Sequence, residues 1–143
     1  MRNSYSFNYK KGKVIYIPEL LHPGGEIKLG FESNWYMPKN ADELESAVFW
    51  VSNKRLPLQV KAPEWVGVSH DKQENRDIIH LFNYNTDNQV AGIKLEYSGT
   101  VKNAWYVSPD EQGKKEIHFS VKNGITTMDI PNMEVYKVIV LEK

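Results

Sequence analysis

The stretch "IIHLFNYNTDNQVAGIKLEYSG", Ile78 to Gly99, contains the pattern from which the fold class follows. In its second half, "IKLEY", the apolar side chains of Ile93, Leu95 and Tyr97 fall on one face, and charged side chains fall between them. This period of two is typical of a half-buried antiparallel strand. The first half, "IIHLFNY", is also apolar but includes histidine, asparagine and tyrosine, which either form a working site or hold the packing together.

The alternation continues towards the end of the chain. "IHFSVK" at 117–122 repeats it, and "VYKVIVLE" at 135–142 is apolar on nearly both faces, as an interior strand is. Turn-forming residues separate the apolar runs at intervals of about ten residues, the spacing of a sandwich. We predict a mainly β protein, an immunoglobulin-like antiparallel β-sandwich with one flanking α-helix. The predicted strands lie near 58–61, 65–70, 76–84, 90–98, 101–107, 115–122, 125–130 and 134–142.

The N-terminal part has a different pattern. "GKVIYIP" at 12–18 predicts a short apolar strand, a loop rich in Gly and Pro follows, and "NADELESAVFWVSN" at 40–53 predicts a helix. Asn40 is the expected N-cap, with Glu43 completing a capping box. The apolar stripe of this helix consists of Leu44, Ala47, Val48 and Val51.

A helix of this length is marginal alone, so its stripe needs an apolar partner. We expect residues 1–57, an N-terminal strand, long loop and helix, to dock on a sandwich domain of residues 58–143. The helix would pack on the sandwich or beside the 13–17 strand. Such docking would leave an incompletely covered apolar surface around Val14, Tyr16 and the long loop, where the rest of a parent chain or a second copy would bind.

Composition excludes several classes of protein. The 143 residues suffice for one domain with a real core. Eighteen basic residues balance eighteen acidic ones, which argues against nucleic acid or an anionic membrane as the partner. No stretch has the apolar length of a membrane span. The absence of cysteine removes disulfides and thiolate chemistry and leaves the compartment undetermined.

Reactive residue types form no catalytic pattern. The four histidines fall at no metal-ligand spacing, and no nucleophile or phosphate-binding motif occurs. Asp71, Glu74 and Asp77 could hold a hard cation through oxygen ligands. Lys72 and Arg76 beside them favour a solvated charged turn instead. We therefore predict no catalytic residue, no metal, no cofactor and no enzyme activity.

Aromatic residues are the candidate binding groups. Sugar rings stack their C–H faces on aromatic planes, so Trp35, Tyr36 and Trp105 are the predicted carbohydrate-binding residues. The alternative is that these three are core or interface aromatics. We assign Trp50 and Trp65 to the core.

The polar residues of the opening stretch are predicted to be structural. His80 lies in mid-strand among apolar neighbours, and a symmetrical hairpin would place Gly67 beside it, making room for the imidazole. At the strand's exit, amide side chains can satisfy free backbone groups. These are Asn83, Asn85 and Asn88.

Three motifs in this chain also occur together in a known kind of domain. The runs 78–111 and 117–142 resemble the C-terminal β-sandwich of large bacterial glycoside hydrolases. The segments at 12–19, 40–51 and 56–68 resemble the region before that tail, whose strand often closes an amidotransferase-like α/β domain. The motifs are His80-Leu81-Phe82-Asn83-Tyr84, Ser108-Pro109-Asp110, and Ile130-Pro131 through Tyr136 to Val140.

The resemblance implies a non-catalytic accessory module. Nothing in the chain matches a catalytic barrel or its pair of carboxylates, so no catalytic residue carries over. The implied partner is the catalytic domain of a parent chain, and the implied parent is a carbohydrate-degrading enzyme, secreted or periplasmic. The alternative is a carbohydrate-binding module whose partner is a polysaccharide or oligosaccharide.

Overall fold

The chain separates into two compact units, Met1–Leu56 and Pro57–Lys143. The computed structural model describes residues 4–22, 24, 37–53 and 56–143. Its described residues form eleven strands and one helix. None of the described helical residues forms a segment long and apolar enough to cross a membrane.

The N-terminal unit contains a two-stranded hairpin and the helix. Strand β1 (Tyr5–Tyr9) pairs antiparallel with β2 (Gly12–Tyr16), and helix α1 (Ala41–Val51) contacts β2. Lys13 joins the two elements, because its Nζ donates to the Trp50 carbonyl at 3.0 Å and lies 4.8 Å from the centroid of the Trp50 ring. Sequence patterning predicted β2 and α1 but not β1.

One face of the hairpin is apolar and exposed. Cross-strand pairs such as Tyr5 with Tyr16 and Phe7 with Val14 share that face. The exposed fractions of its side chains range from 37% for Val14 to 64% for Tyr5. Contiguous exposed apolar side chains of this kind are typical of interaction surfaces. We call this surface the hairpin face, and it consists of Tyr5, Phe7, Tyr9, Val14 and Tyr16.

Asn40 does not cap the helix as predicted. Its side chain makes no capping hydrogen bond. Instead Asn40 Oδ1 accepts from the Leu21 amide at 2.9 Å, and Nδ2 donates to the Glu19 carbonyl at 3.0 Å and to Glu43 Oε2 at 3.2 Å. The Asn40 side chain therefore hydrogen-bonds the backbone of the segment before the helix, as a neighbouring strand would. Its Oδ1 is thus not available for the predicted capping box.

The predicted apolar stripe is only partly buried. Ala47 is buried, whereas Val48 and Val51 remain 50% and 37% exposed. The half-buried Trp50 contacts Lys13, so the packed face of α1 is rotated away from Val48. Docking of residues 1–57 on the sandwich stays a prediction.

The C-terminal unit is an antiparallel β-sandwich. Its strands are β3 (Leu58–Lys61), β4 (Val66–Lys72), β5 (Arg76–Asn83), β6 (Ile93–Ser98), β7 (Asn103–Ser108), β8 (Glu111–Glu116), β9 (Phe119–Lys122), β10 (Ile125–Ile130) and β11 (Tyr136–Glu142). One sheet has the order β3-β6-β10-β9 and the other β4-β5-β11-β7-β8. The predicted mainly β, antiparallel sandwich is confirmed.

The core lies between the two sheets. Strand β6 supplies Ile93, Leu95 and Tyr97, the residues that its alternation predicted, and β5 supplies Ile79 and Leu81 from the opposite sheet. Burying such an aliphatic side chain contributes about 1.5–3 kcal/mol. Strand β11 occupies the centre of the five-stranded sheet, as its apolar sequence predicted.

Two strand predictions were wrong. The region 115–122 is not one strand: β8 and β9 belong to different sheets, and the buried Ile117 lies where the chain crosses between them. Strand β8 reads "EQGKKE" at a sheet edge, where apolar alternation is not required. Val90 forms only an isolated bridge with Met133 rather than the start of β6.

All described residues of the sandwich core belong to the C-terminal unit. We therefore expect a fragment of residues 57–143 to unfold in one cooperative transition, measured by circular dichroism during urea titration. The difference in free energy of unfolding between the full chain and the fragment measures the stability that residues 1–56 add. A fragment without a cooperative transition would contradict a self-contained core.

Candidate functional site

Four aromatic rings form a group on the outer face of the five-stranded sheet. His80, Phe82 and Tyr84 follow one another along one side of β5 and the residue after it, and Tyr136 lies opposite Phe82 on β11. Neighbouring ring centroids are 5.0 to 6.5 Å apart, and the planes differ by 14° to 29°. We call these four side chains the ring row.

Hydrogen bonds and exposure distinguish the two ends of the ring row. His80 Nδ1 lies 2.5 Å from the Tyr136 hydroxyl, and His80 Nε2 lies 3.4 Å from Asp71 Oδ2. The Tyr84 amide donates to the Trp65 carbonyl at 3.0 Å. The Tyr84 side chain nevertheless stays 76% exposed, against 36% for Phe82. One end of the row is therefore tied into the sheet, and the other is open.

Gly67 makes room for a ring of the row, but not for the predicted one. It pairs with Phe82, and a Cβ added at Gly67 would lie 2.7 Å from Cε2 of Tyr84. The predicted position beside His80 is wrong, because Ser69 is the partner of His80. The Gln73 amide donates to the Arg76 carbonyl at 2.9 Å, so the turn is centred between the two residues that follow Gln73. The pairing register of β4 with β5 therefore differs from the predicted one.

Of the three asparagines predicted to satisfy free backbone groups at the end of β5, Asn83 does so, whereas the side chains of Asn85 and Asn88 bond each other. Asn83 is buried, and its Nδ2 donates to the carbonyls of Asn88 at 2.8 Å and Glu134 at 2.5 Å. Asn83 Oδ1 accepts from the Asn85 amide at 3.0 Å. One side chain thus connects the turn after β5 to the approach to β11.

Trp105, a predicted carbohydrate-binding residue, lies on β7 in a cleft of about 390 Å³. Its Nε1 donates to Glu142 Oε1 at 2.8 Å, and Lys114 Nζ lies 4.2 Å from the ring centroid. Hydrogen bonds from Trp105 and Asn103 hold the pKa of Glu142 below its usual value. The indole is therefore engaged by a cation and a carboxylate of the same chain.

The other predicted aromatics are distributed differently. Trp35 and Tyr36 lie outside the described residues, so their carbohydrate-binding role stays a prediction, as does that of Trp105. Trp65 is 38% exposed in the turn before β4, and the core assignment was wrong for it. Trp50 is half-buried and lies in the N-terminal unit, outside the sandwich core.

A buried carboxylate organises the end of the sandwich near the β4–β5 turn. Asp77 is fully buried, with its Oδ2 2.9 Å from His70 Nε2 and its Oδ1 2.5 Å from Lys143 Nζ. Burial raises its pKa, but hydrogen bonds from Lys143, His70 and Tyr97 outweigh burial and hold the pKa below 3.8. Burial and the bond to Asp77 raise the pKa of Tyr97 to about 12.

This network also corrects the interpretation of the acidic turn. Asp77 faces the core while Asp71 faces outward and is 63% exposed in its side chain, so the two carboxylates lie on opposite faces. The solvated turn predicted for all three acids is wrong for Asp77. Across the described ranges, no three metal-ligating side chains come together.

A second ion pair, between the buried Lys137 and the partly exposed Glu111, was not predicted. Lys137 is 1% exposed, and its Nζ donates to Glu111 Oε1 at 2.6 Å and lies 4.0 Å from the Tyr106 ring centroid. The Tyr106 hydroxyl donates to Glu111 Oε2 at 2.8 Å. Hydrogen bonds from Lys137 and Tyr106 lower the pKa of Glu111, while burial and the bond to Glu111 raise that of Tyr106. The lone lysine within "VYKVIVLE" was the available signal.

Known proteins share this fold. No protein-family model matches the chain. No curated protein matches it. Among solved structures, α-L-fucosidase isoenzyme 2 from Paenibacillus thiaminolyticus matches 71% of this chain with a TM-score of 0.59 and 17% identity. The rhamnosidase from Novosphingobium sp. PP1Y matches 69% with a TM-score of 0.53 and 14% identity.

The matched part is a small piece of each enzyme. This chain spans 17% of the fucosidase chain and 9% of the rhamnosidase chain. It is a β domain related in fold to part of two glycoside hydrolases. At these identities the likeness concerns the fold alone.

The buried network predicts a pH dependence of stability. The folded pKa of Asp77 lies below its ordinary value, so its stabilisation is present above pH 3.8 and is lost as the pH falls through the folded pKa. The folded pKa of Tyr97 is about 12 against 10.0, so stability is present below pH 10.0 and is lost as the pH rises towards 12.

We expect Tyr97→Phe to reduce the loss of folding stability at alkaline pH by about 1–3 kcal/mol. Urea unfolding at pH 7, 10 and 11.5 measures the effect, with the pH 7 values of both proteins as the reference. Equal alkaline slopes for the variant and the unmodified chain would contradict the assignment to Tyr97.

His80→Ala should lower the free energy of unfolding by about 1–3 kcal/mol, because it removes a half-buried hydrogen bond and two ring contacts. Tyr136→Phe is the matched variant that removes only the hydroxyl. Urea titrations of both single variants and the double variant measure the coupling between the two side chains. An unchanged unfolding midpoint for His80→Ala would show that the imidazole is dispensable.

Proposed function

We propose that this chain is a non-catalytic accessory domain of a carbohydrate-degrading enzyme that packs against, or helps to assemble, the catalytic part. The observation that carries the proposal is the unequal coverage: most of this chain matches a fucosidase, of which it spans only 17%. Most of the fucosidase chain therefore lies outside this β domain. We further propose that the sandwich is of the immunoglobulin-like kind and that the parent enzyme is bacterial.

The state of the titratable groups supports a structural role. Lys137 is paired with Glu111, and Asp77 with His70 and Lys143. Such internal pairing commits these groups to holding strands together, since breaking a buried pair is costly. A catalytic acid or base would instead face a space where substrate can bind.

The hairpin face supports packing against a larger partner. Five apolar side chains are exposed together there, and they include three tyrosines and a phenylalanine. Contiguous apolar surface of this kind marks interaction sites, and aromatic residues are enriched in interfaces. Its proposed occupant is the catalytic part of the parent enzyme.

We expect the purified chain to hydrolyse none of a panel of aryl glycosides, fucoside and rhamnoside included, in a chromogenic assay with a fucosidase as positive control. The open reading frame that encodes this chain, or a neighbouring gene, should also encode a glycoside hydrolase domain. Turnover that co-purifies with the chain and disappears on a point mutation would contradict the accessory role.

The second candidate function is a carbohydrate-binding module that uses Trp35, Tyr36 and Trp105. The Trp105 cleft favours it, because Asn103, Glu116 and His118 line the cleft beside the indole and could bond sugar hydroxyls. Lys114 would have to leave the indole face for a sugar to stack there.

A further inference from the structure

We propose that the ring row is a binding surface for neutral saccharides, with Tyr84 as its principal stacking residue. This inference rests on the proposed accessory function and specifies a ligand for it. The row comprises His80, Phe82, Tyr84 and Tyr136, none of which the sequence patterns assigned to carbohydrate binding.

The ring row is not required by the core. Antiparallel alternation directs Ile79 and Leu81 inward, so the rings of His80 and Phe82 fall on the opposite side of the sheet. Tyr84 keeps 76% of its side chain exposed, more than any other large apolar side chain described. An exposed aromatic ring on a sheet surface is available for stacking with a sugar.

The missing side chain at Gly67 makes room for the Tyr84 ring. Gly67 lies beneath it, and a side chain at that position would meet Tyr84 Cε2 at 2.7 Å and its hydroxyl at 3.3 Å. The glycine therefore allows the ring to lie over the neighbouring strand β4. The planes of Tyr84 and Phe82 differ by only 21°, so the two rings are nearly parallel to each other.

The polar groups beside the row fit a sugar. Asp71 is exposed at one end, 3.4 Å from His80 Nε2, and the exposed Ser69 pairs with His80 on the same face. A carboxylate and a hydroxyl next to aromatic faces are hydrogen-bonding groups for sugar hydroxyls.

The distribution of cations favours a neutral ligand at the ring row. The lysines described as lying over aromatic rings cover Tyr9, Trp50, Trp105 and Tyr106, all outside the row. Among the described residues, no lysine lies over the ring of Tyr84, whereas Lys114 lies over that of Trp105. Asp71 lies at the His80 end of the row, where it would repel an anionic saccharide, whereas the weakly positive C–H face of a neutral sugar is attracted to the aromatic rings.

The experiment is affinity electrophoresis of the full chain through gels that contain a soluble neutral polysaccharide: mixed-linkage β-glucan, xyloglucan, galactomannan or arabinoxylan. Oligosaccharides of the retaining polymer are then titrated by calorimetry. We expect retention by at least one polymer and affinity that falls about tenfold in Tyr84→Ala.

Two further variants sharpen the test. Gly67→Ala keeps every aromatic side chain but forces the Tyr84 ring to move, so it should weaken binding as well. Tyr16→Ala is the matched control, because it removes a similarly exposed tyrosine, 58% exposed, from the hairpin face. Its affinity should equal that of the unmodified chain. Unfolding midpoints of all variants confirm that each remains folded.

Retention by none of the four polymers would overturn the inference, and so would unchanged affinity in Tyr84→Ala. A change of mass by light scattering in Tyr84→Ala without a change in retention would identify the row as a protein interface and also overturn it. These outcomes leave the proposed accessory function standing, since that proposal fails only through glycoside turnover or the absence of a catalytic domain.

Discussion

The placement of β11 is the constraint on which the sandwich depends. This central strand is held by β5 on one side and β7 on the other, and side chains from both flanks bond the backbone near its start. Asn83 Nδ2 donates to the Glu134 carbonyl and Ser108 Oγ donates to the Tyr136 carbonyl at 2.9 Å. A slip of one residue in the register of β11 would turn its core side chains outward. By fixing that register, these bonds keep the core between the two sheets buried.

The same register creates the outer surface. Because β11 places Tyr136 opposite Phe82, the histidine and phenylalanine of β5 gain an aromatic neighbour across the strand pair. Because the β4–β5 turn places Gly67 opposite Phe82, the Tyr84 ring can lie over β4. The motifs that resemble glycoside hydrolase tails, around His80, Ser108 and Tyr136, thus meet at one end of the sheet and serve packing first.

Burying charged side chains inside the sandwich costs desolvation free energy, and pairing them with opposite charges offsets that cost. Lys137 and Asp77 are each almost wholly buried, and each meets an opposite charge or a hydrogen-bond donor from a distant part of the chain. Buried pairs of this kind add little net stability, but removing one partner leaves an uncompensated charge. Their value here is to link specific strands: Lys137 connects β11 to β8, and Asp77 connects β5 to the C-terminal Lys143.

Sequence alternation by itself determined the antiparallel sandwich, the buried face of β6 and the interior position of β11, because the period of two is a local consequence of strand geometry. It missed β1, although Tyr5, Phe7 and Tyr9 alternate with polar residues there, and it merged β8 with β9, because the edge strand β8 has no apolar face. The partner of Gly67, the burial of Asp77 against Lys143 and the ring row were decided only by the tertiary structure. Each joins residues whose proximity depends on strand register, and turn geometry and side-chain bonds across the sheet set that register.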